Sequence, residues 1–465
     1  MLSQRSGKAK LDDVTRILSD LQAELDANKL SVEQRRGLLE QLKVYGRSVD
    51  NADPIFTHHG LQTLGRYAFH GATTPASQEA LRCIANALLL QPKTRQMLVD
   101  LGHGPHAAEK LKSDSVDDEF LAARVLFLMT YDANLDYTQL VRENQLADSI
   151  NAAIQRHAQR YSTDASKPSQ GHTQPMDIMA LAETLKLVFN IIHFHQDLNP
   201  HFTKSIPNVF KILVQRGITQ PPLAAPAREL VNALLHLHLE SAEGKQATFP
   251  AADPKRNAEH LVKILDKAIV AYPDKDLDDT ITPVVTLLRS IYEIAPDAVQ
   301  TAMQKMILPT PEERDEPLGK SDTLPSRLLN LSTSANTATL RGSISSMLFE
   351  LSHKDPATFV HNVGYGFASG YLMSNNIQMP DDVIKAHAHE NANDGIPINP
   401  ITGQRLDKEE HVHMEPMTQE EKEREAERLF VLFERLKATG VVNVQNPVEQ
   451  AYRSGRIQEL PDDSD

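Results

Sequence analysis

A chain of 465 residues that is 40% hydrophobic but only 5% aromatic, with no Trp, suits many aliphatic helix interfaces better than strand-rich cores. Its 48 basic and 62 acidic residues leave a formal charge of −14 with no Lys/Arg block, so nucleic acid is not an expected partner. Cys83 is the single cysteine, which excludes an intrachain disulfide, and neither a signal-peptide core nor a membrane-length apolar run is present; a soluble, cytoplasmic protein is expected.

In chain order, Leu11, Val14, Leu18, Leu21 and Leu25 fall three and four apart and predict one face of a first helix. The same spacing predicts helices over 32–48, 57–70, 76–91, 117–131, 144–160, 176–195, 201–215, 225–240, 257–272, 278–295, 323–334 and 336–352. Polar, proline-bearing stretches at 162–175, 241–254 and 309–325 read as loops between them. No strand pair interrupts the series. The fold expected is therefore all-α, an armadillo/HEAT-like right-handed solenoid over 1–375. Apolar periodicity disappears over 376–416, which reads as an extended polar connector. It returns in a helix over 417–439, where Thr418 and Glu421 make a capping box and Ala426, Leu429, Phe430, Phe433 and Leu436 form one stripe. Gly440 stops that helix and an acidic tail fills 440–465. The stripe is wide enough to dock, either on the solenoid flank or on a partner.

Three helices carry an Asn among apolar neighbours: Asn86, Asn190 and Asn232. Armadillo repeats use such residues to hydrogen-bond a guest in a groove; the alternative is a polar residue satisfied inside its own helix pair. Four His-x-His pairs (193/195, 236/238, 387/389, 411/413) are poor metal sites, because residues two apart on a helix point about 200° from each other and the other two pairs lack further ligands. Gly364, Gly366 and Gly370 depart from the dinucleotide-binding spacing and follow no strand, so they read as small residues for close packing, with Tyr365, Phe367 and Tyr371 filling gaps. No activated nucleophile or phosphate loop stands out. Neither a cofactor nor covalent chemistry is expected.

Six segments carry a family likeness: EALRCIANALLLQPKTRQMLVDLG from Glu79, FLAARVLFLMTYD from Phe120, ALAETLKLVFNI from Ala180, VGYGFASGYL from Val363, INPITG from Ile398 and MTQEEKEREAERLFVLFERL from Met417. In that order they resemble the synembryn family, the resistance-to-inhibitors-of-cholinesterase proteins. The resemblance implies a monomeric exchange factor and chaperone for the α subunit of heterotrimeric G proteins (Gα), whether GDP-bound, nucleotide-free or newly made. It implies work in the cytosol or at the cell cortex, with membrane association only through Gα.

The same resemblance places Lys43, Arg47 and Asn86 against the terminal carboxylate of the Gα C-terminal helix. Phe120, Leu121 and Arg124 follow as the next groove segment, with Asn190 and Asn232 beyond, and Leu429, Phe430 and Phe433 are expected to touch the nucleotide domain. Lys43 stands where the family has Arg, which replaces a bidentate fork with a point charge. Spacing alone puts Lys43 and Arg47 one helical turn apart, as any solvated pair would be. Animal synembryns carry an acidic Ser/Thr cluster between the Gly-Tyr-Gly and Asn-Pro stretches; here only Ser374 stands near its start. The rival reading is an armadillo adaptor or scaffold without exchange activity. A transport receptor of that class pairs Trp with Asn, and this chain has no Trp.

Overall fold

Helix starts are written into the chain as short polar residues. Ser31 Oγ accepts the Gln34 amide while the Gln34 side chain returns to the Ser31 N–H, a capping box. Thr74 does the same with Ser77 and has Pro75 behind it in the first helical turn. Ser115, Asp136, Ser241, Thr323 and Asp355 each cap a later helix through their side-chain oxygens.

The computed structural model describes residues 5–71, 73–161, 174–378, 398–399, 401–409, 418, 422 and 424–431. Its α-helices are α1 (Gly7–Ala27), α2 (Val32–Tyr45), α3 (His58–Phe69), α4 (Pro75–Leu90), α5 (Lys93–Asp100), α6 (Gly104–Lys110) and α7 (Val116–Met129). Then come α8 (Tyr137–Glu143), α9 (Leu146–Gln159), α10 (Pro175–Phe194), α11 (Ile206–Gln215), α12 (Ala227–His236), α13 (Ala242–Thr248) and α14 (Arg256–Ala271). The series closes with α15 (Asp274–Ile294), α16 (Asp297–Ile307), α17 (Leu324–Leu331), α18 (Ala338–Leu351), α19 (Pro356–Val363) and α20 (Tyr365–Ser374).

The chain is all-α: among the described residues the one β feature is an isolated bridge between Ile398 and Arg405. Helices α2, α4, α7, α10, α12, α15 and α18 lie side by side in that order. A second row backs them, with α3 on α4, α6 on α7, α9 on α10, α11 on α12, α14 on α15 and α16 on α18. This is the layered stacking of an armadillo/HEAT-like solenoid. One core runs between the rows, from Val14 and Ile17 through Leu81, Leu126, Leu187, Leu230 and Leu287 to Leu348 and Val363. Among the described residues no helix is long and apolar enough to cross a membrane.

Several short elements escape a periodicity reading. The stretch 241–254, expected as a loop, contains α13, because Ser241 caps it and Asn257 donates to the Ala247 and Thr248 carbonyls at its end. Similarly, 309–325 contains a 3₁₀ turn, Glu312–Asp315. Two-turn helices such as α5, α6 and α8 are too short to establish a period. The helix expected over 32–48 ends at Tyr45, where the Gly46 N–H bonds back to the Leu42 carbonyl.

The polar stretch 376–416 is not extended throughout. Asn399 Oδ1 accepts the amides of Ile401 and Thr402, and Gly403, at φ +69°, closes a tight turn with its N–H on the Asn399 carbonyl. This turn is sewn to the end of the solenoid: Leu318 N–H donates to Thr402 O, Gly366 N–H to Ile401 O and Arg405 N–H to Arg314 O. The small residue at 364 is required here, since it holds φ +79° and a Cβ would come within 3.0 Å of the Ile401 carbonyl.

The described residues up to Asp407 form one unit and those from Lys408 a second. In the second, residues 424–431 are helical, with Leu429 and Phe430 exposed. Phe433, Leu436 and Glu421 lie outside the described residues, as do His387, His389, His411 and His413.

Candidate functional site

The row α2, α4, α7, α10, α12 turns one stripe of each helix away from the core. On α4 the residues that escape burial recur at Gln78, Arg82, Asn86 and Leu90, and on α7 at Phe120, Arg124 and Phe127. Polar and aromatic contacts join these stripes laterally into one continuous face.

The first part of the face is charged. Lys43 on α2 lies 2.6 Å from the Glu79 carboxylate on α4, and Arg82 one turn further holds both Glu79 and Asp117 of α7 at 2.8 Å. Arg124 on α7 bonds Glu183 of α10 at 3.0 Å, and Lys186 joins the same carboxylate at 3.1 Å. Each cation is therefore balanced by a carboxylate that is largely buried beneath it. Arg47 is the exception. It stands exposed in the turn after α2 and its side chain makes no ion pair or hydrogen bond among the described residues.

The second part is aromatic. Phe127 meets Tyr131 edge to face at 5.5 Å between centroids, and Tyr131 meets Phe194 likewise at 6.3 Å. Phe189 stacks on His193 and touches His236 of α12, 4.2 Å between centroids, while His193 Nδ1 lies 3.4 Å from His236 Nε2. Burial, and secondarily the neighbouring His193, lowers the His236 pKa, so its imidazole is neutral at pH 7 and serves as an apolar platform with one polar edge. Phe194 is 52% exposed and Tyr131 37%, which is a large apolar offering for a surface.

Beneath the face, Glu119 of α7 ties the rows together. Its carboxylate takes His157 Nε2 at 2.9 Å and Thr184 Oγ1 at 3.0 Å, with Arg156 at 3.6 Å.

The residues singled out from sequence distribute unevenly. Lys43, Asn86, Phe120, Arg124 and Asn232 all reach the open face, and Arg124 lies over the Phe120 ring at 5.9 Å. Asn86 and Asn232 make no side-chain hydrogen bond among the described residues, leaving their amides available to a guest. Asn190 is corrected to an internal tie: it is 4% exposed and donates to Thr130 Oγ1 at 2.7 Å, joining α10 to the end of α7. Leu121 is corrected to a core position, 1% exposed, because it faces the backing row while Phe120 faces out. Arg47 does not share a helical stripe with Lys43, since α2 has already ended. Glu79, Arg82, Glu183, Phe189 and His236 were missed. Arg82 had a legible signal, one turn before Asn86, whereas Glu79 and Glu183 become partners only through packing between helices. Among the described residues no group of three or more His, Cys, Asp or Glu is placed to hold a metal ion. Cys83 is buried, its Sγ 3.5 Å from the Leu39 carbonyl, and burial pushes its thiol pKa well up.

The open face thus carries cations at one end and aromatic rings beyond. A family described as guanine nucleotide exchange factor synembryn matches residues 38–456, most of the chain. The chain belongs to the synembryn family. A synembryn-like chaperone of Schizosaccharomyces pombe is 27% identical over 300 residues, 60% of this chain and 56% of that protein, so the match spans just over half of the yeast chain. The chaperone Ric-8A of Danio rerio is 25% identical over 468 residues, 87% of this chain and 81% of its own. Among solved structures, a designed armadillo repeat protein is similar at TM-score 0.37 and 12% identity, covering 59% of this chain and 99% of its own. Membership places the chain in a family of guanine nucleotide exchange factors whose relatives include proteins named chaperones.

Proposed function

We propose that this synembryn releases GDP from Gα, and shelters newly made Gα, by capturing the Gα C-terminal helix on the open face of α2, α4, α7, α10 and α12. The observation that carries this reading is the pairing of two chemistries on one face. Lys43, Arg47, Arg82 and Asn86 offer donors for a terminal carboxylate, and Phe127, Tyr131, Phe189, Phe194 and His236 offer an apolar platform for an amphipathic helix.

Mechanistically, a helix held on this face is withdrawn from its seat in Gα, where it adjoins the guanine-binding loop. The complex then favours the nucleotide-free state. A ~100-fold weakening of GDP binding needs about 2.7 kcal/mol of preference for that state, within reach of one docked helix. By the same linkage GTP with Mg²⁺, which favours closed Gα, ejects the exchange factor. Preference for incompletely packed Gα also accounts for chaperoning without ATP. The apolar residues Leu429 and Phe430, with Phe433, are assigned to the nucleotide-domain side of Gα. We place this work in the cytosol, by a monomer that meets membranes only through Gα.

The test is GDP release from purified Gα with and without the protein, beside binding of Gα C-terminal peptides with free and amidated ends. Acceleration together with preference for the free carboxylate supports the reading. Binding without acceleration selects an armadillo scaffold instead.

A further inference from the structure

Three helices of the open face repeat one spacing, a cation one helical turn before an Asn: Arg82 and Asn86 on α4, Lys186 and Asn190 on α10, Arg228 and Asn232 on α12. The first two cations are neutralised within the fold, Arg82 by Glu79 and Asp117 at 2.8 Å and Lys186 by Glu183 at 3.1 Å. The Asn190 amide is likewise taken, by Thr130. The third pair is open. Arg228 is exposed and its guanidinium makes no ion pair or hydrogen bond among the described residues, and the Asn232 amide has no hydrogen-bond partner there either. The adjacent carboxylate forms no ion pair with Arg228: Glu229 acts on Arg216, the residue after α11, and its Oε2 is buried.

Position decides what this pair can do. His236, further along the same stripe of α12, packs on Phe189 of α10, so a guest helix lying on the aromatic platform runs alongside Arg228 and Asn232. A guanidinium fork with an amide beside it is a receptor for a carboxylate. The other unpaired donors of the face, Arg47 and Asn86, stand at its α2–α4 end. Between the two places the cations already hold Glu79, Asp117 and Glu183, which repel a guest acid. From α4 to α12 there are three steps between neighbouring helices, through α7 and α10, of about 8–10 Å each, which makes roughly 24–30 Å. A guest helix rising about 1.5 Å per residue covers that distance in roughly 16–20 residues. We propose that Arg228, with Asn232, is a specificity-determining anchor that takes an Asp or Glu side chain of the guest helix roughly 16–20 residues before its terminal carboxylate. The inference rests on the capture reading above and gives it a second fixed point. The face then selects a guest by the distance between two anions as well as by the apolar stripe between them.

The test is a set of Gα C-terminal helix peptides with free ends, their own Asp and Glu replaced by Asn and Gln, and a single Asp walked one position at a time along the helix. Affinity should peak with the Asp roughly 16–20 residues before the end, about three- to fivefold above the peptide without it, and the peak should shrink at high salt. Arg228→Gln should flatten that peak and leave the melting temperature unchanged, because the side chain it shortens is exposed and unpaired. Arg228→Glu should move the peak to peptides carrying Lys at the same positions. A flat scan, a peak that Arg228→Gln leaves in place, or an equal loss of affinity for peptides with and without the Asp overturns the proposal. Amidated copies of the peptides separate the two readings. A preference of the unmodified chain for free ends together with a flat scan removes only the second anchor; no preference between free and amidated ends removes the capture reading, and the proposal falls with it.

Discussion

Lys43 Nζ lies 2.6 Å from Glu79 Oε2, so the cation that the family resemblance assigns to a guest carboxylate already has a carboxylate of its own. Glu79 also engages Arg82, which means a guest must share two cations with a resident anion. Replacing Glu79 with Gln keeps the shape and removes one negative charge. Affinity for a Gα peptide ending in a free carboxylate should rise about three- to fivefold, equivalent to ~0.6–1 kcal/mol, while an amidated peptide changes little. Titration calorimetry at low and high salt checks this; equal gains for both peptides would mean the effect is not recognition of the carboxylate. Reversing Lys43 and Arg47 to Glu should remove peptide binding with helicity intact.

Phe189 lies between His193 and His236 and is only half-buried, so truncating it leaves no core cavity. Phe189→Ala should weaken peptide binding by about 1–2 kcal/mol, roughly five- to thirtyfold, with the melting temperature nearly unchanged. A large fall in melting temperature instead would assign Phe189 to the fold.

The Glu119 carboxylate predicts a pH signature. Burial alone would raise its pKa, but the His157 and Thr184 hydrogen bonds and the Arg156 charge outweigh that and hold it below the ordinary 4.5. A depressed carboxylate contributes stability that is complete above the unfolded value and is lost as pH falls through the folded one. Glu119→Gln should therefore cost about 3 kcal/mol at pH 7, with the gap to the unmodified chain narrowing below pH 4.5. Denaturant unfolding of both proteins at stepped pH checks it. A gap that widens on acidification contradicts the assignment.

Two glycines should respond oppositely to Ala. At Gly60, in the first turn of α3, a Cβ would lie 2.2 Å from the Pro54 carbonyl, so the substitution should cost about 1–3 kcal/mol. At Gly37, inside α2, a Cβ meets nothing within 4 Å, and the substitution should stabilise by roughly 0.5–1 kcal/mol. Thermal unfolding of the pair distinguishes them, and loss of stability at both positions would contradict this packing.

The long helices were legible because a helix of four turns needs an apolar stripe to bury, and Leu81, Ile84 and Leu88 on α4 or Leu261, Leu265 and Ala268 on α14 write that stripe into the chain. Asn86, singled out by its apolar neighbours, and Phe120, singled out by the family resemblance, do face outward, whereas Arg82 one turn before Asn86 was missed. Alternation of polar and apolar positions thus determined the all-α stack, and the ordered segments determined its family. What the sequence could not decide was which outward groups meet. Whether Lys43 is free or held by Glu79, whether Asn190 serves a guest or Thr130, and whether the Asn399–Gly403 turn hangs loose or is gripped by Arg314 depend on where neighbouring helices and distant segments come to rest. A local pattern reports the side a residue faces, but a hydrogen bond or ion pair is set within a few ångströms, and only tertiary packing brings distant parts of the chain that close.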